Sequence, residues 1–288
     1  MKKGFSSVII VNYNTKELTA NCIRSLFNCF EPGTYEIIVV DNASADGSAV
    51  YLKSLFPSIA IVENKKNLGF GTANNMGATI AKGDFLLLLN SDTVVKYNIL
   101  EKFVAFYESH RHLKPGVVGS LLLAEDGSIA HSYGSFPYPF TLLAGKEKDK
   151  QVTLKEAEQN YFAPTKIVVG AGMFIEKALF DSLNGFDENI FLYEEELELQ
   201  WRLQKIGCTQ FVINERGIVH LEGKSSENWF KRRCSFVSLC YVYKKHMPYW
   251  LYLFSRARMV VYAAAFFKNT KTSWKEKMDY LKLSITGK

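Results

Sequence analysis

The sequence lacks the patterns that mark several well-known classes of protein. Its five cysteines form no Cys-x-x-Cys pair and are odd in number, so neither a zinc knuckle nor a disulfide framework is indicated and a reducing compartment fits best. No Gly-x-x-x-x-Gly-Lys-Ser/Thr segment occurs, and Gly69-x-Gly71 continues to Asn74 instead of a third glycine. Neither a P-loop NTPase nor a dinucleotide-binding dehydrogenase is therefore supported.

Uninterrupted apolar runs of membrane-spanning length are missing as well. The first apolar run, Val8 to Val11, is too short for the core of a signal peptide and ends at Asn12. The aromatic stretch from Met247 to Phe267 carries Arg256 and Arg258 at its centre, where each would be costly in hydrocarbon. We therefore expect a helix that lies on a membrane surface, packs on the protein itself, or packs on a second copy in a homodimer.

Positive charge is concentrated at the end of the chain. The composition, 48% hydrophobic and 22% charged, is that of a globular protein. The net charge is +6, but from Lys224 onward there are 14 Lys and Arg against 3 acids, which leaves −5 for residues 1–223. Because this basic tail is also aromatic, it favours an anionic membrane surface over nucleic acid as a partner.

Strand-like and helix-like segments alternate in the first half of the chain. Apolar runs at Val8–Val11, Tyr35–Val40 and Phe85–Leu89 predict strands, and apolar residues recur at helical spacing between them. Asn14, with Glu17 three residues later, predicts a capping box at the first helix. The alternation indicates an α/β fold with a mostly parallel central sheet flanked by helices.

The second half of the chain has a looser pattern. Ile167 to Ile175 reads as a single strand, Glu194 to Ile206 as an acidic helix, and the tail as three further helices.

Polar side chains follow two of the predicted strands directly. Asp41 ends one strand, and its carboxylate can accept hydrogen bonds from a base or ribose; an ordinary turn and helix cap is the alternative. Asn90 and Asp92 end another, and they suit a hard divalent cation that also holds a diphosphate; a strand-end turn is again the alternative. In open α/β sheets, this edge is where ligands bind.

Two further groups carry candidate chemistry. Adjacent carboxylates at Glu194–Glu196 and Glu198 raise each other's pKa, which suits a general base, although acids also favour a helix N-terminus and Glu198 can pair with Arg202. His220 follows a strand and can be structural, or can complete a metal site or contact a phosphate together with Lys224 and Ser225.

Taken in order, these motifs resemble those of one enzyme family. The motifs are Asn12-Tyr13-Asn14, Asp41-Asn42-Ala43-Ser44, Asn67-Leu68-Gly69-Phe70-Gly71, Asn74-Asn75, Asn90-Ser91-Asp92, Gly170-Ala171-Gly172, Glu195-Glu196-Leu197-Glu198 with Trp201-Arg202, and His220 with Gly223 and Ser225. On these residues the chain resembles the family 2 inverting glycosyltransferases of GT-A fold, particularly their bacterial rhamnosyltransferase-like branch.

The resemblance implies a domain organisation and a role for each motif. It implies a GT-A catalytic domain at residues 1–223, with a nucleotide-binding half at about 1–95 and an acceptor half at about 96–223, and a basic helical extension at 224–288. The implied nucleotide-binding residues are Asn12, Asn14, Asp41, Asn67, Gly69, Gly71 and Asn75. The implied ligands of Mg²⁺ or Mn²⁺ are Asp92, Asn90 and His220, with Lys224 and Ser225 on the diphosphate. The implied sugar and acceptor pocket contains Gly170, Ala171, Gly172 and Trp201.

The catalytic base follows from the same resemblance. Where the family usually has Glu-Asp, this chain has Glu195-Glu196, so Glu196 is the candidate base, with Glu195 and Glu198 as alternatives. The implied activity is transfer of a sugar from a nucleoside-diphosphate sugar to a glycan or lipid-linked acceptor in cell-surface polysaccharide synthesis. The implied place is the cytoplasmic face of the cell membrane. A catalytically weak scaffold subunit that binds a nucleotide sugar is the alternative.

Overall fold

A large mixed sheet runs through the middle of the protein. The computed structural model describes residues 4–136, 161–162, 166–221, 229–266 and 273–286. The strands are β1 (Ser6–Asn12), β2 (Tyr35–Asp41), β3 (Ala60–Glu63), β4 (Phe85–Asn90), β5 (Thr93–Val95), β6 (Pro115–Leu123), β7 (Tyr133–Ser135), β8 (Tyr161–Phe162), β9 (Lys166–Val168), β10 (Gly172–Glu176) and β11 (Thr209–His220). The helices are α1 (Lys16–Cys29), α2 (Ser48–Leu55), α3 (Phe70–Ile80), α4 (Ile99–Ser109), α5 (Lys177–Ser182), α6 (Glu195–Lys205), α7 (Trp229–His246), α8 (Tyr249–Phe266) and α9 (Trp274–Thr286).

The predicted α/β fold with a mostly parallel sheet is confirmed. Within the described residues, the main sheet has nine strands in the order β3-β2-β1-β4-β10-β6-β11-β5, with β8 paired to β11. Strands β1, β2, β3, β4, β6 and β11 share one direction, while β5, β8 and β10 run against it. Strands β7 and β9 form a separate antiparallel pair.

The sheet is apolar on both faces because helices cover both. Alternate side chains of a strand point to opposite faces. Ile10 and Leu87 pack with α1 and α4 on one face, whereas Ile9 and Leu88 pack with α3 and α6 on the other. This double burial explains the continuous apolar runs in β1, β2 and β4, which show no alternation with polar residues.

Strand register brings the predicted polar residues to one edge of the sheet. Asn12 at the end of β1 pairs with Asp41 at the end of β2, and Val11 pairs with Asn90 at the end of β4. These ends therefore form a continuous polar border above the buried core.

The structure overturns two local predictions. The predicted strand Ile167–Ile175 is two strands, because the chain leaves β9 after Val168 and joins the main sheet as β10 only at Gly172. Asn14 does not cap α1: Thr15 occupies the N-cap position, and the Asn14 side chain instead accepts a hydrogen bond from the backbone of Ala45.

The tail forms the three predicted helices. Helix α7 packs on α6, and α8 and α9 pack on α7 and on each other. Among the described residues, no helix combines the length and the hydropathy that a membrane-spanning segment requires.

Candidate active site

The border formed by β1 and β2 is a buried hydrogen-bond network. The Asn12 amide nitrogen donates to Asp41 Oδ1 at 2.6 Å and to Ser44 Oγ at 2.9 Å, and the Ser44 backbone donates to Asp41 Oδ2 at 3.0 Å. Asn14 adds a contact from its backbone nitrogen to Ser44 Oγ at 2.9 Å. A carboxylate can accept about four hydrogen bonds, so Asp41 keeps capacity for a ligand donor such as a base N–H or a ribose hydroxyl.

A second network centres on Asn42, a residue of the motif for which no role was predicted. The buried Asn42 amide donates to Asn67 Oδ1 at 2.9 Å and to the Gly69 carbonyl at 3.1 Å, and it accepts from the backbone of Leu68 at 3.0 Å. Asn42 therefore fixes the loop that leads into α3. Its direct succession to Asp41 at a strand end was the available sequence signal.

The glycines of that loop allow contact with the segment before the acidic helix. Gly69 has φ +86°, and a Cβ there would lie 2.1 Å from the carbonyl oxygen of Phe191. The Phe70 backbone donates to the same oxygen at 3.1 Å. At Gly71, a Cβ would meet Phe186 Cβ at 3.0 Å. These two predicted nucleotide-binding glycines thus lie where the two halves of the chain meet.

Asn75 makes the same connection with its side chain. Its amide nitrogen donates to the Phe186 carbonyl at 2.9 Å, and its oxygen accepts from the Phe186 backbone nitrogen at 2.8 Å. This two-way pairing accounts for both functional groups of Asn75. Its role in nucleotide binding remains a prediction from resemblance.

The end of β4 and the end of β11 bring the predicted metal ligands together. Asp92 Oδ1 lies 3.2 Å from His220 Nε2, and the Asn90 amide nitrogen lies 3.5 Å from the same ring nitrogen. Burial alone would raise the pKa of Asp92, but the hydrogen bond and charge of His220 outweigh burial and hold the pKa below its ordinary value. Asp92 is thus an anion at neutral pH.

This donor set fits a divalent cation shared with a substrate. No cluster of three or more His, Cys, Asp or Glu side chains suited to a metal is present in the described part of the chain. Asp92, His220 and the Asn90 amide oxygen together offer one carboxylate, one imidazole and one neutral oxygen. Mg²⁺ is commonly held by one or two carboxylates together with substrate phosphates and water, so a fully protein-built site is not required. The predicted Lys224 and Ser225 lie outside the described residues.

The segment between β9 and β10 lies next to the predicted metal ligands. The Asn90 backbone donates to the Ala171 carbonyl at 3.1 Å, and Gly172 pairs with Leu89 across β10 and β4. A Cβ at Gly170 would lie 3.9 Å from the carboxyl carbon of Glu196. Residues 170–172 therefore have the predicted metal ligands on one side and the candidate base on the other.

The acidic helix begins at a strained turn. Tyr193 and Glu194 have φ values of 66° and 68°, in the left-handed region that non-glycine residues rarely adopt. Contacts from α7 hold this turn: Ser238 donates to the Leu192 carbonyl at 3.0 Å, and Ser235 donates to Glu194 Oε1 at 2.9 Å. Strain of this kind persists only where its surroundings fix it, and it concentrates at functional sites.

Carboxylates at the start of α6 have raised pKa values. Burial, and next the charge of Glu196, raises the pKa of Glu194 to about 7. The same two causes raise the pKa of Glu195, and burial raises that of Glu196. Glu195 is 5% exposed, and its Oε2 has no hydrogen-bond partner among the described residues. A base works best when its pKa lies near the working pH, so Glu196 and Glu195 both have suitable surroundings.

Glu198, the other alternative base, is held by three basic side chains. Its side chain is 0% exposed and lies 2.6 Å from Arg202, 2.7 Å from Lys245 and 3.0 Å from His246. Burial would raise the pKa of Glu198, but these partners lower it to about 2. A carboxylate so firmly ionised is a weak proton acceptor, so its surroundings favour a structural role.

Trp201, predicted in the acceptor pocket, lies at the interface of α6 and α7. Its ring stacks on His246 with centroids 5.2 Å apart and planes at 13°, and meets the edge of Phe136 at 6.1 Å. These contacts make Trp201 part of the packing between the acidic helix and the tail. A pocket role for Trp201 remains a prediction.

The chain is similar in sequence to known glycosyltransferases. The chain is 26% identical over 261 residues to the uncharacterized glycosyltransferase YfnE of Bacillus subtilis, which covers 77% of this chain and 66% of YfnE. It is 23% identical over 218 residues to N-acetylglucosaminyl-diphospho-decaprenol L-rhamnosyltransferase of Mycobacterium tuberculosis, covering 66% of this chain and 67% of that protein.

The fold has counterparts among solved structures of glycosyltransferases. The mannosyltransferase of Pyrobaculum calidifontis, solved with GDP-Man and Mn²⁺, superposes with a TM-score of 0.62 at 15% identity, covering 98% of this chain and 86% of that one. The sequence model of glycosyl transferase family 2 matches residues 7–162, more than half of the chain. The chain therefore belongs to glycosyl transferase family 2 and has a GT-A fold.

Proposed function

We propose that the protein is a metal-dependent inverting glycosyltransferase that moves a sugar from a nucleoside-diphosphate sugar to a hydroxyl of a glycan or lipid-linked acceptor. One observation carries the proposal. Glu196 lies against Gly170, and the adjacent Ala171 is hydrogen-bonded to Asn90, beside Asp92 and His220. This arrangement has a proton acceptor on one side of a small-residue segment and a diphosphate-binding edge on the other.

The proposed reaction is a single displacement. The acceptor oxygen forms a bond to the anomeric carbon, the bond from that carbon to the diphosphate breaks, and the acceptor proton moves to a carboxylate oxygen of Glu196. Attack opposite the leaving group inverts the anomeric centre, as it does in inverting glycoside hydrolysis. When bound at Asp92, Asn90 and His220, Mg²⁺ or Mn²⁺ would neutralise the charge that develops on the diphosphate.

The residues at the ends of β1 and β2 would bind the nucleoside of the donor. Asp41 and the network of Asn12 and Asn14 would receive the nucleoside, and the Asn42 network would hold the loop of Asn67 and Gly69 beside it. The similarity to the rhamnosyltransferase of Mycobacterium tuberculosis makes a rhamnose donor the first to test. That relative's printed name also makes a polyprenyl-diphosphate acceptor the first acceptor to test, in cell-surface polysaccharide synthesis.

Substitution of the base tests the proposal. Sugar nucleotides are first screened by thermal shift with and without Mn²⁺, since a ligand at 100 times its Kd stabilises by about 2.7 kcal/mol. With the best donor, we expect Glu196→Gln to reduce turnover by about 100-fold or more while nucleotide binding is kept. Glu125→Gln, at an exposed hairpin position, is the matched control. A scaffold subunit that only binds nucleotide sugars would show no loss of turnover in Glu196→Gln.

We also propose that the tail associates with an anionic membrane surface on the cytoplasmic side. One side of α8 exposes Tyr249 (69%) and Trp250 (67%), followed one turn later by Leu253 and Phe254. Arg256 turns away from that side, because its guanidinium donates to Cys240 Sγ at 3.4 Å. Aromatic residues together with an excess of basic charge suit a membrane interface.

Vesicle binding tests this association. We expect cosedimentation with phosphatidylglycerol vesicles, weaker binding to phosphatidylcholine vesicles, and a several-fold loss in Trp250→Ser. If light scattering instead finds a dimer that Trp250→Ser dissociates, the exposed side of α8 belongs to a homodimer interface and the membrane proposal fails.

A further inference from the structure

One side of α7 follows the active-site segment from Asp187 to Glu198 along its length. The contacting residues recur three or four positions apart, the spacing that places side chains on one helix face. They are Ser235, which donates to Glu194; Ser238, which donates to the Leu192 carbonyl; Tyr241, which donates to Asp187 at 2.8 Å; and Lys245. One face of α7 thus contacts the segment that leads into α6 along its whole length.

Lys245 joins the two ends of this segment. Its Nζ lies 2.6 Å from Asp187 Oδ2 and 2.7 Å from Glu198 Oε1. The Lys245 side chain is 35% exposed, whereas those of Asp187 and Glu198 are 8% and 0% exposed. A surface ion pair contributes little, but here one ammonium group bridges two buried carboxylates that a chain segment separates.

The segment between those two ends carries the candidate base. The strained turn at Tyr193 and Glu194 lies between them, and so does Glu196, whose carboxyl group lies beside Gly170. A left-handed turn made of two non-glycine residues relaxes unless its flanks are held.

We propose that Lys245 is a positioning residue that holds the segment 187–198 closed and thereby places Glu196 against residues 170–172. The inference rests on the proposed function in taking Glu196 as the base. Lys245 contacts Asp187 and Glu198, and not Glu196. It acts through the ends of the segment.

The remaining contacts predict that the fold survives loss of Lys245. Arg202 still neutralises Glu198, His246 still contacts it at 3.0 Å, and Asp187 keeps its hydrogen bonds to Tyr241 and to Asn189. What is lost is the bridge between the two ends. Because a misplacement of about 1 Å at a reacting group can cost about 100-fold in rate, a modest opening of the segment has a large effect on turnover.

The experiment compares Lys245→Met, Lys245→Arg and the neighbouring Lys244→Met, in which Lys244 is exposed on the same helix. Hydrogen exchange of the full chain, followed by mass spectrometry, reports on peptides that cover residues 187–198. We expect at least tenfold faster exchange there in Lys245→Met, unchanged exchange in β1, β2 and α3, partial recovery in Lys245→Arg, and no change in Lys244→Met. With a donor in hand, kcat should fall about tenfold to 100-fold in Lys245→Met with the donor KM unchanged.

Exchange and turnover separate this inference from the proposed function. If no sugar nucleotide turns over but exchange changes as expected, the proposed function fails and the closure of the segment by Lys245 stands. The inference is overturned if exchange in residues 187–198 is the same in Lys245→Met and Lys244→Met, or if exchange rises equally throughout the chain. It is also overturned if kcat stays within twofold of that of Lys244→Met.

Discussion

Glu198 provides the sharpest test of the electrostatics at the acidic helix. Its buried carboxylate contacts Arg202, Lys245 and His246, and we expect Glu198→Gln to leave these three groups without their anion. The partners lower the pKa of Glu198 from 4.5 to about 2. Each pKa unit corresponds to about 1.4 kcal/mol, so the carboxylate contributes about 3 kcal/mol to the free energy of unfolding at neutral pH.

The sign of the pH dependence follows from that lowered pKa. A group whose pKa is lower in the folded state contributes its full stabilisation above its unfolded pKa of 4.5, and this contribution is lost as the pH falls toward 2. The difference in unfolding free energy between the natural chain and Glu198→Gln should therefore be about 3 kcal/mol at pH 7 and about half of that at pH 3.

Urea unfolding followed by circular dichroism at pH 7, 5, 4 and 3 measures that difference. Glu125→Gln, which changes an exposed glutamate, is the control and should match the natural chain within about 0.5 kcal/mol at every pH. The reasoning is refuted if Glu198→Gln costs less than about 1 kcal/mol at pH 7, or if its cost does not decrease between pH 5 and pH 3. Either result would mean that the three basic partners stabilise the interface without needing this charge.

Three further predictions concern the rest of the site. Gly69→Ala should destabilise the chain by more than about 2 kcal/mol in urea unfolding, because its Cβ would lie 2.1 Å from the Phe191 carbonyl oxygen. Gly127→Ala, at φ +82° with nothing within 4 Å of the added Cβ, should cost only about 1–2 kcal/mol. Equal costs for the two variants would contradict the close contact at Gly69. Turnover should rise with pH above the ordinary glutamate pKa, because burial raises the pKa of Glu196 and only its deprotonated form accepts a proton. This rise should be absent from the residual rate of Glu196→Gln. Asp92→Asn should lower the Mn²⁺-dependent part of the thermal shift with nucleoside diphosphate and leave the metal-independent part; a shift equal to that of the natural chain would remove Asp92 from the metal site.

Local sequence pattern was sufficient to predict the sheet edge. The apolar runs that end at Asn12, Asp41 and Asn90 are parallel neighbours, so their ends must meet once the strands pair in register. Periodicity defined these strands because burial on both faces requires continuous apolar residues. The polar residue that ends each run therefore marked the position of this edge.

Contacts across long stretches of chain could not be predicted in the same way. Glu198 has the spacing of a simple pair with Arg202, yet its other two basic partners lie on α7, 47 and 48 residues away. Asn14 has the pattern of a helix cap, but a tertiary contact with Ala45 takes its side chain. Residues 167–175 read as one apolar run, whereas the chain changes sheet at Val169–Ala171, where the Ala171 carbonyl meets the end of β4. In each case, a partner distant in sequence outweighs the local preference.

Contacts of the segment 187–198 connect the family-matched region with the tail. The family match ends at residue 162, but the candidate base lies in α6, and α6 is held by α7 in the tail. Residues of the first half of the chain reach this region from the other side, because Gly69 and Phe70 contact Phe191 and Asn75 contacts Phe186. The segment 187–198 is thus fixed between a family-typical sheet and a helix beyond the matched region. A change in the tail should therefore alter the rate of transfer without altering the binding of nucleotide. A change at Gly69 should alter both, because Gly69 is a predicted nucleotide-binding residue and also contacts the segment that carries the candidate base.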